Sequence, residues 1–156
     1  MPVRTHGQSR NYRTRKPATR TYRAWLNMLQ RCTNPNNNWF AEYGGRGITV
    51  CEHWKQFENF FEDMGPCPPN LTIERKNNEK GYSKSNCIWA DSTTQMLNRR
   101  KFSNNTSGFK GVWPYRNKFQ TVVYFRKRRH HIGTFDTAIE AFKAKQKWLA
   151  ENIARL

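Results

Sequence analysis

The stretch LTIERKNNEKGYSKSNCIWADSTTQMLNRR, positions 71–100, decides how this chain is read. Leu71-Thr-Ile-Glu-Arg75 alternates apolar and polar residues with the period of a half-buried strand. Asn77-Asn-Glu-Lys-Gly81 is made of turn formers, and Asn86-Cys-Ile-Trp89 supplies a second short strand. Asp91 or Ser92 then caps a helix through about Arg100, with Met96 and Leu97 on its apolar side. Strand, loop, strand and helix follow one another in a single compact unit. The pattern predicts an α+β fold.

Toward the N-terminus, Thr19 or Thr21 starts a helix running to about Cys32, with Tyr22, Trp25, Met28 and Leu29 forming one apolar stripe. Thr33-Asn-Pro-Asn-Asn-Asn38 stops it. Tyr43-Gly-Gly-Arg-Gly-Ile48 reads as a tight turn before a strand from Ile48 to Cys51. No Lys-Ser/Thr pair follows these glycines, so a nucleotide-binding loop is not indicated. A second helix is expected from about Trp54 to Met64, carrying Trp54, Phe57, Phe60, Phe61 and Met64 on one face, and Gly65-Pro-Cys-Pro-Pro69 ends it. Toward the C-terminus, a polar segment over 101–107 reads as a linker. Beyond it, strands are expected at Lys110–Trp113, Phe119–Phe125 and His130–Gly133. Thr137 then caps a last helix with Ala138, Ala141, Phe142, Trp148 and Leu149 on one face. The organisation expected is a basic disordered arm over 1–18, a first domain over 19–100, and a second over 108–156.

The 156 residues carry 28 Lys+Arg against 11 Asp+Glu, a formal net charge of +17. With 10 Phe, 6 Trp and 6 Tyr the chain is too aromatic for a disordered polycation. A foldable, strongly basic protein points to a polyanion, nucleic acid above all. An anionic membrane would call for a basic amphipathic helix with a large apolar face or a hydrophobic run long enough to span, and no such run exists. The charge is unevenly spread. Residues 1–41 hold 8 basic and no acidic residues, 42–98 hold 6 and 8, and 99–156 hold 14 and 3. The centre keeps its carboxylates between two basic flanks, as a metal-dependent nuclease needs and a plain DNA-coating protein does not. Cys32, Cys51, Cys67 and Cys87, without a secretory signal, suggest a reducing compartment. Their gaps of 19, 16 and 20 residues are unlike paired zinc knuckles, leaving a structural Zn²⁺ site and buried free thiols both open.

Two stretches resemble known families. Tyr43-Gly-Gly-Arg-Gly-Ile48, Leu71-Thr-Ile-Glu-Arg75, Gly81-Tyr-Ser83, Asn86-Cys-Ile-Trp89, Gln95 and Asn98-Arg99 together resemble the phage HNH endonucleases of homing type, whose core is the ββα-metal (His-Me) finger. Gly108-Phe-Lys-Gly-Val112, Ile132-Gly-Thr-Phe-Asp136 and Glu140-Ala141 resemble the AP2 DNA-binding domain, a three-stranded antiparallel sheet packed on one helix. The two stretches cover about residues 20 to 150, and their pairing is itself characteristic of phage and mobile-intron endonucleases.

The first resemblance implies phosphodiester hydrolysis with Mg²⁺ or Mn²⁺. It puts Glu74 at the metal-binding acid, Asn86 at the loop-fixing position, and Gln95 or Asn98 at the second ligand on the helix. Arg75 stands where the family carries its general-base histidine. With a pKa above about 12 a guanidinium is no base, and a clamp on the scissile phosphate suits it better. Water activation then falls to His53 or Tyr82 within the same domain; His6, His130 and His131 lie elsewhere. Plainer readings stand beside these: Glu74-Arg75 as a surface ion pair, Asn86 as a turn residue, His53 as structural, Tyr82 as a packed aromatic.

The second resemblance implies that Lys110, Trp113, Arg116, Lys118, Gln120 and Tyr124 face bases and phosphates of double-stranded DNA. Arg126, Lys127, Arg128 and Arg129 form the densest positive cluster, suited to phosphate. Phe109, Phe119, Phe135, Phe142 and Trp148 read as core. The combined expectation is a DNA endonuclease, cytoplasmic by resemblance, with a monomer favoured. The competing expectations are a non-catalytic DNA-binding or regulatory protein that keeps the fold, and an RNA-binding protein, which strand readout of a B-form groove disfavours.

Overall fold

The computed structural model describes residues 7–8, 17–126 and 128–153. Most of the expected arm, with His6, and Lys127 of the basic cluster lie outside the described residues. The protein is α+β and divides into two compact units, residues 1–98 and 99–156.

The first unit opens with helix α1, Arg20–Thr33. Thr19 caps it, its hydroxyl accepting from the Tyr22 backbone N–H at 3.2 Å and so satisfying one of the orphan donors of a helix start. The apolar stripe of α1 buries Met28 and packs Tyr22 and Trp25 against Phe57 of helix α2, Phe57–Met64. The helix expected from Trp54 is in fact split. Glu52–Lys55 form a 3₁₀ turn, and extended backbone at Gln56 separates it from α2. Trp54 can thereby sit fully buried between the elements while its indole N–H reaches the Asp63 carboxylate at 2.8 Å. Two more indoles are tied in the same way, Trp25 to the Trp54 carbonyl and Trp89 to the Met64 carbonyl, both at 2.7 Å. Gly65, at φ 63°, ends α2.

Strands β1, Thr72–Arg75, and β2, Cys87–Ala90, form an antiparallel pair in which Glu74 faces Ile88 and Arg75 faces Cys87. Helix α3, Ser92–Asn98, follows directly, its first turn capped by Asp91, whose carboxylate accepts from the Thr94 N–H at 2.8 Å. The strand expected over Ile48–Cys51 is reduced to a single parallel bridge between Val50 and Tyr82. Gly81 makes that bridge possible, since a Cβ there would lie 2.6 Å from the Thr49 carbonyl oxygen.

In the second unit β3, Val112–Tyr115, β4, Lys118–Phe125, and β5, Arg128–Phe135, form one antiparallel sheet in the order β3-β4-β5. The first strand is shifted from the expected Lys110–Trp113 because the Lys110–Gly111 segment turns into the sheet instead of pairing within it, and the last strand extends beyond the expected His130–Gly133 at both ends. A bulge between Thr121 and Val122 offsets the β4–β5 register. Helix α4, Ala138–Ile153, packs on all three strands. Thr137 and Glu140 close a reciprocal cap at its start, each bonding the other's backbone N–H. Val112, Thr121, Val123, Phe125 and Ala141 are buried between sheet and helix, with Phe125 edge-on to Trp148. Lys145 is buried there too, its ammonium donating to the Lys110 carbonyl at 2.8 Å, and burial lowers its pKa. Gly111, at φ 74°, leaves the space that this ammonium fills. The segment expected as a linker is built into this unit. The Ser107 hydroxyl donates to the Val112 carbonyl at 2.6 Å, and the Asn105 amide donates to the same oxygen at 3.0 Å. Among the described residues no helix is long and apolar enough to cross a membrane.

Candidate functional site

A cleft of about 710 Å³ opens in the first unit between α1 and β1. Arg20, Arg23, Asn27 and Arg31 line one wall. Spaced by three and four residues, they share one helix face, away from the Tyr22–Trp25–Met28 stripe. Thr72 to Arg75 form the opposite wall, with Gln95 of α3 beside them and Trp39 and Tyr43 also contributing. Four arginines and a single carboxylate, Glu74, therefore line one concavity. Positive charge between low-dielectric walls concentrates an anion.

Strand alternation explains how Glu74 is presented. Ile73 and Arg75 point to the core side, and Thr72 and Glu74 to the side covered by α3. From α3, Gln95 bonds the Thr72 hydroxyl, and the Asn98 side-chain amide donates to the Glu74 carboxylate and the Arg75 carbonyl. Gln95, Asn98 and Glu74 are thus gathered on one side of the hairpin.

Arg75 is only 6% exposed. Its guanidinium donates to the carbonyls of Asn78 at 3.0 Å and Lys80 at 2.9 Å, and stacks 5.2 Å from the Tyr43 ring and 5.1 Å from the Tyr82 ring. Asn86, also buried, closes the same loop from the other side. Its amide donates to the carbonyls of Gly81 at 2.8 Å and Asn77 at 3.1 Å, while its oxygen accepts from the Asn77 N–H at 3.0 Å. These two side chains pair backbone carbonyls of Asn77, Asn78, Lys80 and Gly81 in the connection between β1 and β2. Arg75 thus braces the loop, although it borders the cleft.

The two base candidates fall differently. His53 is 58% exposed on its side chain and stands 3.9 Å from Asp63, outside the cleft lining. Tyr82 borders the cleft but is buried, and burial raises its phenol pKa far above the ordinary value, so it stays protonated.

The cysteines are free thiols. Burial pushes the Cys87 thiol up to about 11 and raises Cys32, so both are held protonated. Cys67 instead donates to the Leu71 carbonyl at 3.3 Å. Among the described residues no three His, Cys, Asp or Glu side chains gather to hold a metal, so Cys32, Cys51, Cys67 and Cys87 are not brought together as a zinc set.

In the second unit the register sets Trp113, Gln120 and Thr134 side by side, and Tyr124 opposite Arg129. The face of the sheet turned away from α4 thus carries Trp113, Tyr115, Lys118, Gln120, Tyr124, Arg129 and His131, and Gln120 Nε2 lies 2.8 Å from His131 Nε2. Lys118 is paired to Asp136 at 2.7 Å. Lys110 lies off this face at the turn, and Arg116 and Arg126 occupy left-handed turn positions at φ 52° and 50°. Arg128 sits at the start of β5 opposite Phe125.

No family model, curated protein or solved structure matches this chain. The Glu74 carboxylate is a hard donor of the kind Mg²⁺ or Mn²⁺ takes, whereas Asn98 and Gln95 turn their amide nitrogens to Glu74 and Thr72, so their oxygens would join such a site only with the amides turned over. Mg²⁺ commonly keeps several waters and takes one or two carboxylates plus substrate phosphate, so a single acid beside an anion-attracting wall suffices.

Residues outside the sequence-derived set also belong to these surfaces: Arg20, Arg23, Asn27, Arg31 and Trp39 in the cleft, Tyr115 and His131 on the sheet. The arginine spacing on α1 was visible all along, but only the strand opposite makes it a wall.

Proposed function

We propose that the protein is a metal-dependent DNA endonuclease of the HNH, ββα-metal type, with its centre at Glu74 and its second unit serving as an AP2-like module on double-stranded DNA. One observation carries this reading: the sole carboxylate of an arginine-lined cleft is held by the helix that follows a two-stranded hairpin, through Asn98. Glu74, with the amide oxygens of Asn98 and Gln95 once those amides turn over, would hold the divalent cation, which supplies charge neutralisation at the leaving oxygen and a more acidic water. Arg20, Arg23 and Arg31 hold the phosphodiester against that wall, and Arg75 keeps the hairpin loop closed beneath it. The open sheet of the second unit supports binding, with Arg129 on phosphate and Gln120 beside His131 offering the polar pair suited to a base edge.

The second reading, a DNA-binding protein that keeps this architecture without cleaving, is favoured by Arg75. The family's base position is occupied by a guanidinium committed to loop carbonyls, and neither His53 nor Tyr82 replaces it.

Incubating supercoiled plasmid with the purified chain and Mg²⁺ or Mn²⁺ separates the two. Nicked circles that disappear with EDTA support the endonuclease. Plasmid that stays supercoiled under both metals, with binding intact, supports the second reading.

A further inference from the structure

The cleft carries a feature that duplex binding does not use. Trp39 borders it with 63% of its surface exposed, the highest exposure of any tryptophan among the described residues with Trp113 at 37%. A bare indole costs apolar exposure, yet its backbone is firmly held. The Trp39 N–H donates to the Asn37 carboxamide oxygen at 3.0 Å, and the Trp39 carbonyl accepts from the Glu42 N–H at 3.0 Å. It is a fixed platform with an open face.

Arg31 points the same way. Its guanidinium lies 4.6 Å from the Tyr43 ring centroid, its Nη1 donates to the Tyr43 hydroxyl at 3.4 Å, and its Nε is buried without a hydrogen-bond partner. A second guanidinium, Arg75, shares the same two tyrosine rings. No ion pair among the described residues neutralises either cation. Arg75 is spent on loop carbonyls, so its charge adds to the positive potential at this wall while Arg31, which lines the cleft, is the group that can meet an anion. Arg23 and Arg20 continue that charge along α1, with Arg20 reaching the Leu71 carbonyl at 3.0 Å.

Size selects the ligand. The cleft of about 710 Å³ lies in the range of small-molecule pockets, roughly 300–1,000 Å³, so its interior holds a nucleotide or two and not the stacked pairs of a double helix, which could only lie across its mouth. We propose that this cleft takes an unpaired DNA strand, one base stacked on Trp39 and the adjoining phosphates on Arg31 and Arg23. This substrate assignment rests on reading the cleft as the nuclease centre and makes locally opened DNA the form that reaches Glu74. Duplex is then gripped by the sheet of the second unit, and an unpaired segment enters the first.

The test uses the full chain in EDTA, with fluorescein-labelled oligothymidylate as the single strand and a blunt A·T duplex of equal length as the control, read by anisotropy. Trp39→Ala should weaken single-strand binding by roughly 5- to 150-fold, the range that stacking on an aromatic supplies, while duplex affinity stays within about twofold. Trp39→Phe should restore most of the loss, and Arg23→Gln, an exposed position, should weaken the single strand in the same direction. Equal loss for both probes, or no loss with Trp39→Ala, overturns the proposal. Nicking is scored separately. A parent that fails to nick but keeps the Trp39 selectivity removes the nuclease reading alone, whereas an active parent indifferent to Trp39 removes this inference alone.

Discussion

Asn98, the last residue of α3, donates its side-chain amide to the Glu74 carboxylate on β1 and to the Arg75 carbonyl beside it. Its own carbonyl accepts from the Asn78 amide, so one residue ties helix, strand and loop together. Asn98→Ala should therefore act twice. Nicking should fall by roughly 10- to 100-fold or more, because the partner that positions Glu74 is lost together with a proposed ligand oxygen. Urea unfolding should show a loss of about 1–3 kcal/mol from the freed carboxylate and carbonyl. A variant that unfolds like the parent and nicks at the parent rate contradicts this role.

Arg75 distinguishes a brace from a clamp. Its two carbonyl bonds and two ring contacts predict that Arg75→Ala costs about 3 kcal/mol or more in the first unit, measured by urea unfolding. Arg75→Lys should recover only part, because an ammonium does not reproduce the planar fork. A phosphate clamp predicts the opposite: unchanged stability and weakened DNA binding.

Acid sensitivity should centre on Asp63. The bond from Lys84, with that from the Trp54 indole, holds its carboxyl below the usual carboxylate range. A group whose folded pKa is depressed contributes stability above its unfolded value near 3.8, and that contribution is lost as pH falls through the folded pKa. Urea midpoints of the parent should drop below about pH 4. Those of Asp63→Asn should begin lower at neutral pH and fall less steeply. Parallel curves for the two proteins would exclude this linkage.

On the open sheet of the second unit, Arg129→Gln should lower the salt dependence of duplex binding by about 0.9 in log–log slope, the release expected for one phosphate contact. Gln120→Ala should leave that slope unchanged and relax discrimination at one base position, worth about 1–3 kcal/mol, in a competition series of duplexes. Both are read by anisotropy against salt.

The α+β class and the strand–loop–strand–helix order were legible at 71–100 because alternation and turn residues are local signals. Glu74 and Asn98 could be named from spacing through the HNH resemblance. What Arg75 does could not be read there, since its partners are backbone carbonyls of Asn78 and Lys80, which converge only when the loop closes. The split at Gln56 was hidden for a related reason. Trp54 fits the apolar face of a continuous helix equally well, and burial of its ring with a bond to Asp63 decides the break. His53 was offered by residue type alone, and distance from the cleft lining sets it apart. The arginine wall of α1 needed its opposite strand before its spacing meant anything.

The most direct test of the account concerns Glu74 itself. Glu74→Gln keeps the size of the side chain and a hydrogen-bonding oxygen for Asn98 while removing the charge that would hold the cation. Plasmid nicking in Mg²⁺ or Mn²⁺ and duplex affinity in EDTA should be measured on the same preparations of parent and variant. The account predicts a parent that nicks, and a variant whose nicking falls by roughly 100-fold or more, equivalent to about 3 kcal/mol of barrier, with duplex affinity unchanged. Equal nicking by both proteins would contradict it.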